Sequence, residues 1–152
     1  MKTITIKQPW ASLICEGIKN VENRTWKTSV RGRVLIHAAN QSWNWDKLIN
    51  YMTYMGTLGA FTDKWTRKWL SNLQTGAIIG SAEIVDCVIN YDSIWAEKGV
   101  NFEFENKLSF DVKIKPTYNW VLANPILFDK PIPAKGKLSF WKFDMEDKIC
   151  KK

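Results

Sequence analysis

The chain begins with a stretch in which polar and apolar side chains alternate, and it then changes to a helical spacing. Residues 2–6 (KTITI) alternate with a period of two, which is typical of a half-buried strand. Between Pro9 and Gly17 the apolar residues fall on one helix face, and a proline suits the first turn of a helix as a glycine suits its end. We therefore predict a strand followed by a short amphipathic helix that packs on Trp10.

Two further strands are predicted on either side of the turn at Arg31-Gly32. Residues 21–26 alternate, which places two charges and an indole on one face of a strand: Glu22, Arg24 and Trp26. Residues 33–38 form the second strand, with Leu35 and His37 on one face and Val34 and Ile36 on the other. We expect these two strands to pair as a hairpin.

The rest of the chain continues with helices and then strands. Residues 43–73 have a helical spacing broken near Gly56 and Gly59, which predicts two helices, and residues 76–88 are typical of a central barrel strand. The polar residues 90–115 form either an edge hairpin or an insertion. A strand is predicted over residues 118–122, and a last one follows the turn at Gly136 and ends near Phe143. We predict one α+β domain over residues 1–152, with residues 145–152 as a candidate flexible tail.

The composition excludes several classes of protein. A chain of 152 residues has the length of one ordinary domain, and 45% hydrophobic with 24% charged residues is close to the globular average. The start MKTITIKQPW has no continuous apolar run, so we predict neither a signal peptide nor a membrane helix and expect a cytoplasmic protein. Three scattered cysteines and one histidine argue against disulfides and metal sites. We expect no metal, no other cofactor and no membrane partner.

The charge balance and the aromatic content point toward polyanionic partners. The formal net charge is +7, from 22 Lys and Arg against 15 Asp and Glu, and such an excess attracts polyanions. Some of the nine tryptophans must lie in the core, yet indole rings interleaved with cationic side chains also stack on bases. The expected partner is therefore RNA, DNA or a nucleotide-sized ligand. The pattern does not indicate an oligomeric state.

Three phrases of the sequence carry a resemblance to a known family. They are QPWASLICEGIKNVENRTWKT, RGRVLIHAA, and YNWVLANP followed by PIPAKGKLSFW, and they span the chain from Gln8 to Trp141. In the first phrase the signature G-x-K-x-x-E-x-R follows the lead-in Gln8-Pro9-Trp10 and falls on Gly17, Lys19, Glu22 and Arg24. On these residues the chain resembles the ASCH (activating-signal-cointegrator homology) family of the PUA-like superfamily. The resemblance implies an α+β fold, a small mixed β-barrel with flanking short helices.

The same resemblance implies a cleft between the barrel and the first helix, lined by the signature, in which family members are thought to bind RNA or DNA. One branch of the family removes the acetyl group from acetylated cytidine by amide hydrolysis, and another is described as a ribonuclease. The amidohydrolase branch uses a lysine, a threonine three positions later and a glutamate. Lys19 matches the lysine, but Glu22 stands in place of the threonine. The chain has four later glutamates over residues 83–105, and none of them aligns with the catalytic glutamate of that branch: Glu83, Glu97, Glu103 and Glu105.

The signature residues are the central candidates, and each has a structural alternative. Lys19 and Glu22 either form a solvated ion pair or both contact a ligand. In the second case Lys19 meets a phosphate or a base carbonyl, and Glu22 accepts from an exocyclic amine. If the protein is an enzyme, Lys19 acts as the base and Glu22 shuttles the proton. Arg24 either forms an internal bridge to Glu22 or Glu16 or binds a phosphate.

Further candidates for ligand binding lie around the signature. Trp10 and Trp26 could stack on a base, although a tryptophan on a helix face, like Trp10, is more often part of the core. Arg31 and Arg33 flank a turn glycine, which is either a phosphate contact or a solvated turn. His37 lies in an apolar strand, where a histidine is more often a hydrogen-bonded core residue. The resemblance adds four residues to the candidate set: Gln8, Pro9, Trp120 and Asn124, whose amide could read a base edge or cap the turn before Pro125.

Three functions remain open at this point. Nucleic-acid binding is preferred because it needs only cations, aromatic rings and a cleft. The alternative is a metal-free hydrolase that acts on RNA or on a modified nucleoside. The third is a protein-interaction adaptor in transcription, which an exposed apolar patch on the predicted helices of residues 43–73 would favour.

Overall fold

The structure is a computed structural model that describes residues 1–40, 64–99 and 116–144. Its strands are β1 (Lys2–Ile6), β2 (Val21–Arg24), β3 (Gly32–Ala38), β4 (Ala77–Val88), β5 (Tyr118–Pro133) and β6 (Phe140–Lys142). Its helices are α1 (Trp10–Cys15) and α2 (Lys64–Ser71). The predicted first strand and first helix are confirmed. So is a helix near the end of the stretch 43–73, whose earlier part, like residues 100–115 and 145–152, lies outside the described residues.

All six strands belong to one sheet in the order β2-β5-β4-β3-β1-β6. Strands β1 and β3 run parallel, and every other pairing is antiparallel. The predicted hairpin of residues 21–38 is wrong, because β2 pairs with β5 while β3 pairs with β1 and β4. Alternation specifies which face of a strand is buried, but it does not specify which strand lies beside it.

The sheet curls into a half-barrel. Strands β5 and β6 have three strands between them in the sheet order, so a flat sheet would hold them about 19 Å apart at the usual strand spacing. The rings of Trp120 on β5 and Phe140 on β6 are nevertheless stacked, with centroids 5.2 Å apart. Curling brings the two ends of the sheet together, as the predicted α+β barrel requires.

The concave face of the half-barrel contains the main core. Val34 and Ile36 of β3 lie on this face with the buried residues of the neighbouring strands, as the predicted alternation requires: Ile4, Ile6, Ile79, Ala82 and Ile84. Helix α1 packs on the same core with Ala11, Ile14 and Cys15. The helix packs closely against β4 at Gly80, where an added Cβ would lie 2.6 Å from the Cys15 sulfur. The same Cβ would lie 2.2 Å from the Ile126 carbonyl oxygen of β5.

Strand β5 is longer than the sequence pattern predicted, because it continues through Asn124-Pro125 to Pro133. Ser81 pairs with Ile126 and Glu83 pairs with Ala123, so a single residue of β4 faces both Asn124 and Pro125. This is a β-bulge, and Asn124 adopts a left-handed φ of 47° within it. A bulge accommodates a proline that cannot donate to the ladder, so the strand does not have to end there.

Candidate functional site

The signature residues Lys19, Glu22 and Arg24 come together as one charged cluster. The Glu22 carboxylate lies 2.9 Å from Arg24 Nε and 3.6 Å from Lys19 Nζ. The Lys19 ammonium also donates a hydrogen bond to the Val21 carbonyl. Burial of the three side chains differs sharply, since 2% of Lys19, 11% of Glu22 and 24% of Arg24 is exposed. Arg24 is therefore the most accessible member of the cluster.

Local backbone geometry explains how the cluster forms. Gly17 ends α1 with a left-handed φ of 79°, and the Ile18 and Lys19 amides then both donate to the Leu13 carbonyl. This turn directs the chain from the helix into β2. The two-residue period of β2 places Glu22 and Arg24 on one face, as predicted, and Glu22 is paired with the buried Trp120 on β5.

Arg24 also joins the two ends of the curled sheet. Its Nη2 donates a hydrogen bond of 2.9 Å to the Thr5 carbonyl of β1, although three strands separate β1 from β2 in the sheet order. The guanidinium carbon lies 5.8 Å from the centroid of the Trp120 ring. The predicted internal bridge between Arg24 and Glu22 is present, whereas Glu16 instead accepts a hydrogen bond from the Trp69 indole.

Tryptophan rings surround the charged cluster. Lys19 Nζ lies 6.0 Å from the centroid of the Trp10 ring, a cation–π distance. Trp26 meets the fully buried Trp120 edge to face at 4.5 Å, and the Trp120 indole donates to the Trp26 carbonyl. Trp10 and Trp26 are only half-buried, so each of these rings keeps a solvent-facing surface beside the cluster.

Burial dominates the electrostatics of the cluster. Desolvation lowers the pKa of Lys19, and the negative charges of Glu22 and Glu97 oppose that shift without cancelling it. Lys19, Glu22 and Arg24 thus share a site that is mostly removed from water, and Glu97 also acts on it. Such a site offers cationic donors to an anion or to a set of hydrogen-bond acceptors.

Sequence reasoning missed the loop over residues 91–98, whose Glu97 acts electrostatically on Lys19. Asn23 and Asn119 hold this loop, because Asn23 Oδ1 accepts from the Glu97 amide and Asn119 Nδ2 donates to the Glu97 carbonyl. Asn119 is fully buried and also accepts from the Tyr91 amide at 2.9 Å. The loop places Trp95 against Trp10, with ring centroids 6.4 Å apart. The only sequence signal was the position of Asn23, whose polar side chain alternates with the charged residues of β2.

Gln8 and Pro9 form the entrance to α1. Gln8 is buried, its Oε1 accepts from the Ser12 amide at 3.1 Å, and its Nε2 donates to Ser12 Oγ and to the Gln74 carbonyl. The Gln8-Pro9 peptide bond is cis. These contacts position the helix that carries Trp10, and the Gln8 amide is satisfied by the protein itself.

Arg31, Arg33 and Asn124 lie apart from the charged cluster. Arg33 Nη2 pairs with Glu83 at 2.8 Å, and Asn124 Nδ2 donates to the other oxygen of the same carboxylate. Arg31 forms an exposed pair with Asp86 at 3.1 Å. Arg33 alternates with Val34, so it lies on the convex face of the half-barrel and does not join Lys19 and Glu22.

His37 also lies on the convex face and is buried, as the core interpretation predicted. Its Nε2 lies 2.9 Å from the Ala134 carbonyl oxygen, and its ring meets Trp141 edge to face at 5.7 Å. The histidine therefore belongs to a different region from the signature residues.

Other candidate chemistry is limited. Within residues 1–40, 64–99 and 116–144, no three His, Cys, Asp or Glu side chains come close enough to hold a metal ion. Cys15 and Cys87 are free and buried, and burial raises the pKa of the Cys15 thiol to about 12. No helix in the described part of the chain is long and apolar enough to cross a membrane.

Comparison with known proteins agrees with the fold. The sequence is 25% identical over 142 residues to Activating signal cointegrator 1 of Mus musculus and of Homo sapiens, covering 93% of this chain. The chain spans only 22% of the length of these relatives. The crystal structure of ASCH from Zymomonas mobilis matches with a TM-score of 0.52 and 14% identity, over 96% of this chain and 89% of that one. A mutant of the same protein gives the same TM-score of 0.52.

A model of the ASCH domain family matches residues 4–132, which is most of the chain. This range contains the charged cluster, most of β1, all of β2 to β4 and nearly all of β5. The chain therefore belongs to the ASCH domain family.

Proposed function

We propose that this ASCH domain binds single-stranded RNA by holding one nucleotide against the charged cluster. The observation that carries the proposal is the cluster itself: two cations and one carboxylate in contact, largely desolvated, between half-buried tryptophans. ASCH domains are generally associated with RNA, and the net charge of +7 favours a polyanion. A single strand suits the site because unpaired bases can stack on aromatic rings.

Each member of the cluster has a distinct part in this proposal. Arg24 is exposed enough to meet a phosphate, and its Nη1 has no hydrogen-bond partner among the described residues. Glu22 can accept from an exocyclic amine of the base while it keeps Arg24 oriented. Lys19 lies behind them and supplies positive charge that water screens little. Trp10 or Trp26 provides the surface on which the base stacks.

Fluorescence anisotropy with short labelled RNA, single-stranded DNA and duplexes tests the proposal. The informative variant is Lys19→Met, which removes the buried charge but keeps an unbranched apolar side chain of similar length. Its matched control is Lys2→Gln, which removes an exposed lysine and changes the net charge equally. We expect Lys19→Met to weaken binding of single-stranded RNA by about tenfold or more, and Lys2→Gln to leave it nearly unchanged.

A salt series distinguishes this site from general attraction to a basic surface. Binding through phosphate contacts should fall with a logarithmic slope of about 0.7 per contact on a single strand. Equal affinities of Lys19→Met, Lys2→Gln and the wild type at every salt concentration would contradict the proposal. Preference for duplex over single strand would contradict the stacking part of it.

A second candidate function is metal-free hydrolysis of RNA or a modified nucleoside. The observation in its favour is that burial lowers the pKa of Lys19, which increases the fraction of neutral amine that can accept a proton near neutral pH. Glu22 at 3.6 Å could pass the proton onward. Turnover would be measured by chromatography of RNA and acetylated cytidine after incubation. Lys19→Ala should abolish genuine turnover, and activity that survives this change would exclude Lys19 from the mechanism.

The adaptor function has no support among the described residues. The apolar patch that would favour it was predicted on helices over residues 43–73, and most of that stretch lies outside the described part of the chain.

A further inference from the structure

A separate basic pocket opens on the convex side of the half-barrel, around the loop between β5 and β6. It has a volume of about 940 Å³, and the residues that matter for its chemistry are Thr5, His37, Asn40, Lys135, Gly136 and Lys137. The described residues that line it include two exposed lysines and no carboxylate. Neither lysine forms an ion pair with any described residue. Its charge is therefore positive and uncompensated locally.

His37 provides a second, independent observation at the same pocket. Its ring is 1% exposed, and its Nε2 is paired with the Ala134 carbonyl, but its Nδ1 is buried without a hydrogen-bond partner. A buried polar atom left without a partner destabilises the fold. The nitrogen faces Gly136, where an added Cβ would lie 2.8 Å from it. The unsatisfied nitrogen therefore lies directly against the loop that lines the pocket.

The loop is held in place before any ligand arrives. The Ala134 amide donates to the Gly76 carbonyl at 3.1 Å, and the Lys137 carbonyl accepts from Thr5 Oγ1 at 2.9 Å. Lys137 Nζ lies 6.0 Å from the centroid of the Trp141 ring, whose indole also donates to Thr5 Oγ1. The loop is thus anchored at Ala134 and Lys137, and only the short Gly136 segment between these anchors has to adjust when a ligand binds.

From these features we propose that the pocket is a second ligand site, which binds a phosphate group between Lys135 and Lys137. Lysine ammonium groups are strong donors to phosphate oxygens, and the Asn40 amide adds a neutral donor at the rim. A phosphate oxygen, or a water that it orders, can satisfy the His37 nitrogen when the Gly136 segment shifts. The phosphate comes either from the backbone of a nucleic acid or from a free nucleotide, and the pocket volume is sufficient for a nucleotide.

The single histidine of the chain gives a specific probe of this pocket. Protein labelled with ¹³C and ¹⁵N only at histidine shows one imidazole in heteronuclear NMR spectra, and this imidazole is His37. Inorganic phosphate would be titrated at constant ionic strength, with sodium chloride as the balancing salt. We expect a saturable shift of the His37 ring signals. A shift that does not saturate, or one that chloride reproduces, would overturn the proposal.

Two double variants make the test specific. Lys135→Gln with Lys137→Gln should weaken phosphate binding by about a hundredfold, since each of the two charge-assisted contacts contributes on the order of one decade. Lys2→Gln with Lys130→Gln removes the same two charges from exposed positions outside the pocket lining and should keep the affinity within about twofold. Equal weakening in both double variants would mean that only the overall charge matters, and the site would be rejected.

The source of the phosphate is identified with two further titrations, of uridine 5′-monophosphate and of a dinucleoside monophosphate that carries only a phosphodiester. Tighter binding of the first indicates a free nucleotide, and tighter binding of the second indicates a nucleic-acid backbone. Lys19→Met separates the two sites, because it should keep the His37 response while losing RNA binding. If Lys19→Met also lost the His37 response, the pocket would not be an independent site.

Discussion

Arg24→Met should weaken the closure of the curled sheet, because the Arg24 side chain joins β2 to β1 across the concave face. Its guanidinium donates to the Thr5 carbonyl at 2.9 Å and pairs with Glu22 at 2.9 Å. Methionine keeps the length of the apolar stem but removes both polar contacts. After the change, the Thr5 carbonyl has lost a charged donor, and Glu22, only 11% exposed, retains Lys19 at 3.6 Å.

The cost follows from these two losses. A hydrogen bond from a charged donor contributes about 1.5–3 kcal/mol, and the weakened compensation of a nearly buried carboxylate adds about 1 kcal/mol. We discount the sum because Arg24 is 24% exposed and water can reach part of the vacated site. The expected loss in the free energy of unfolding is about 3 kcal/mol. For a domain of this length it corresponds to a fall in Tm of about 6–12 °C.

Urea unfolding followed by tryptophan fluorescence measures this loss, with Arg31→Met as the control. Arg31 forms an exposed pair with Asp86, in which the two side chains are 44% and 55% exposed, so its removal should cost less than about 1 kcal/mol. A double-mutant cycle of Arg24→Met with Glu22→Gln should give a coupling energy of about 1–3 kcal/mol. If Arg24→Met is no more destabilising than Arg31→Met, Arg24 does not hold the sheet closed.

Three other changes test separate parts of the structure. The folded state holds Lys19 with a pKa below 10.5, so it binds fewer protons than the unfolded state between the two values, and the free energy of unfolding rises with pH there. Lys19→Met should abolish that rise, and an unchanged pH profile in urea titrations would contradict the burial of Lys19. Asn119→Leu leaves the Tyr91 amide and the Glu97 carbonyl without their partner. Calorimetry should therefore show a loss of about 3 kcal/mol or more in the free energy of unfolding. A loss below about 1 kcal/mol would mean that other contacts hold the loop. Gly80→Ala places a Cβ 2.2 Å from the Ile126 carbonyl oxygen. Thermal melting followed by circular dichroism should show a protein that is unfolded or destabilised by about 3 kcal/mol or more. A melting curve like that of the wild type would refute the close contact.

The sequence was most informative where side-chain period alone decides the outcome. Alternation over residues 21–24 correctly put Glu22 and Arg24 on one face, and the amphipathic spacing after Pro9 correctly gave α1. The resemblance to the ASCH family added Lys19, which no periodicity would have placed beside them. Together these signals predicted the charged cluster before any distance was known.

Strand partners and the sheet's curvature could not be predicted in the same way. The hairpin was wrong because β2 pairs with β5, whose residues come about a hundred positions later in the chain. Arg33 and His37 were grouped with the signature, but they share the parity of Leu35 and therefore lie on the convex face. The two-residue alternation along a strand predicts which side chains share a face of the sheet. It does not predict which of the two faces encloses the site, because the direction of curling decides that. The same limit applies to Asn119, whose three hydrogen bonds join segments that are distant in sequence.

The position of Lys19 is difficult to explain by stability alone. Its ammonium is 2% exposed, and its partners do not compensate the desolvation that lowers its pKa. A lysine in this state makes folding less favourable than an apolar side chain of the same length would, because buried ion pairs seldom repay their desolvation. Arg24 and Glu22 already form an ion pair at 2.9 Å, so the cluster does not need a second cation to hold the sheet. A cation kept away from water is instead useful to a ligand that brings negative charge, and this favours a binding site at Lys19 over a purely structural one.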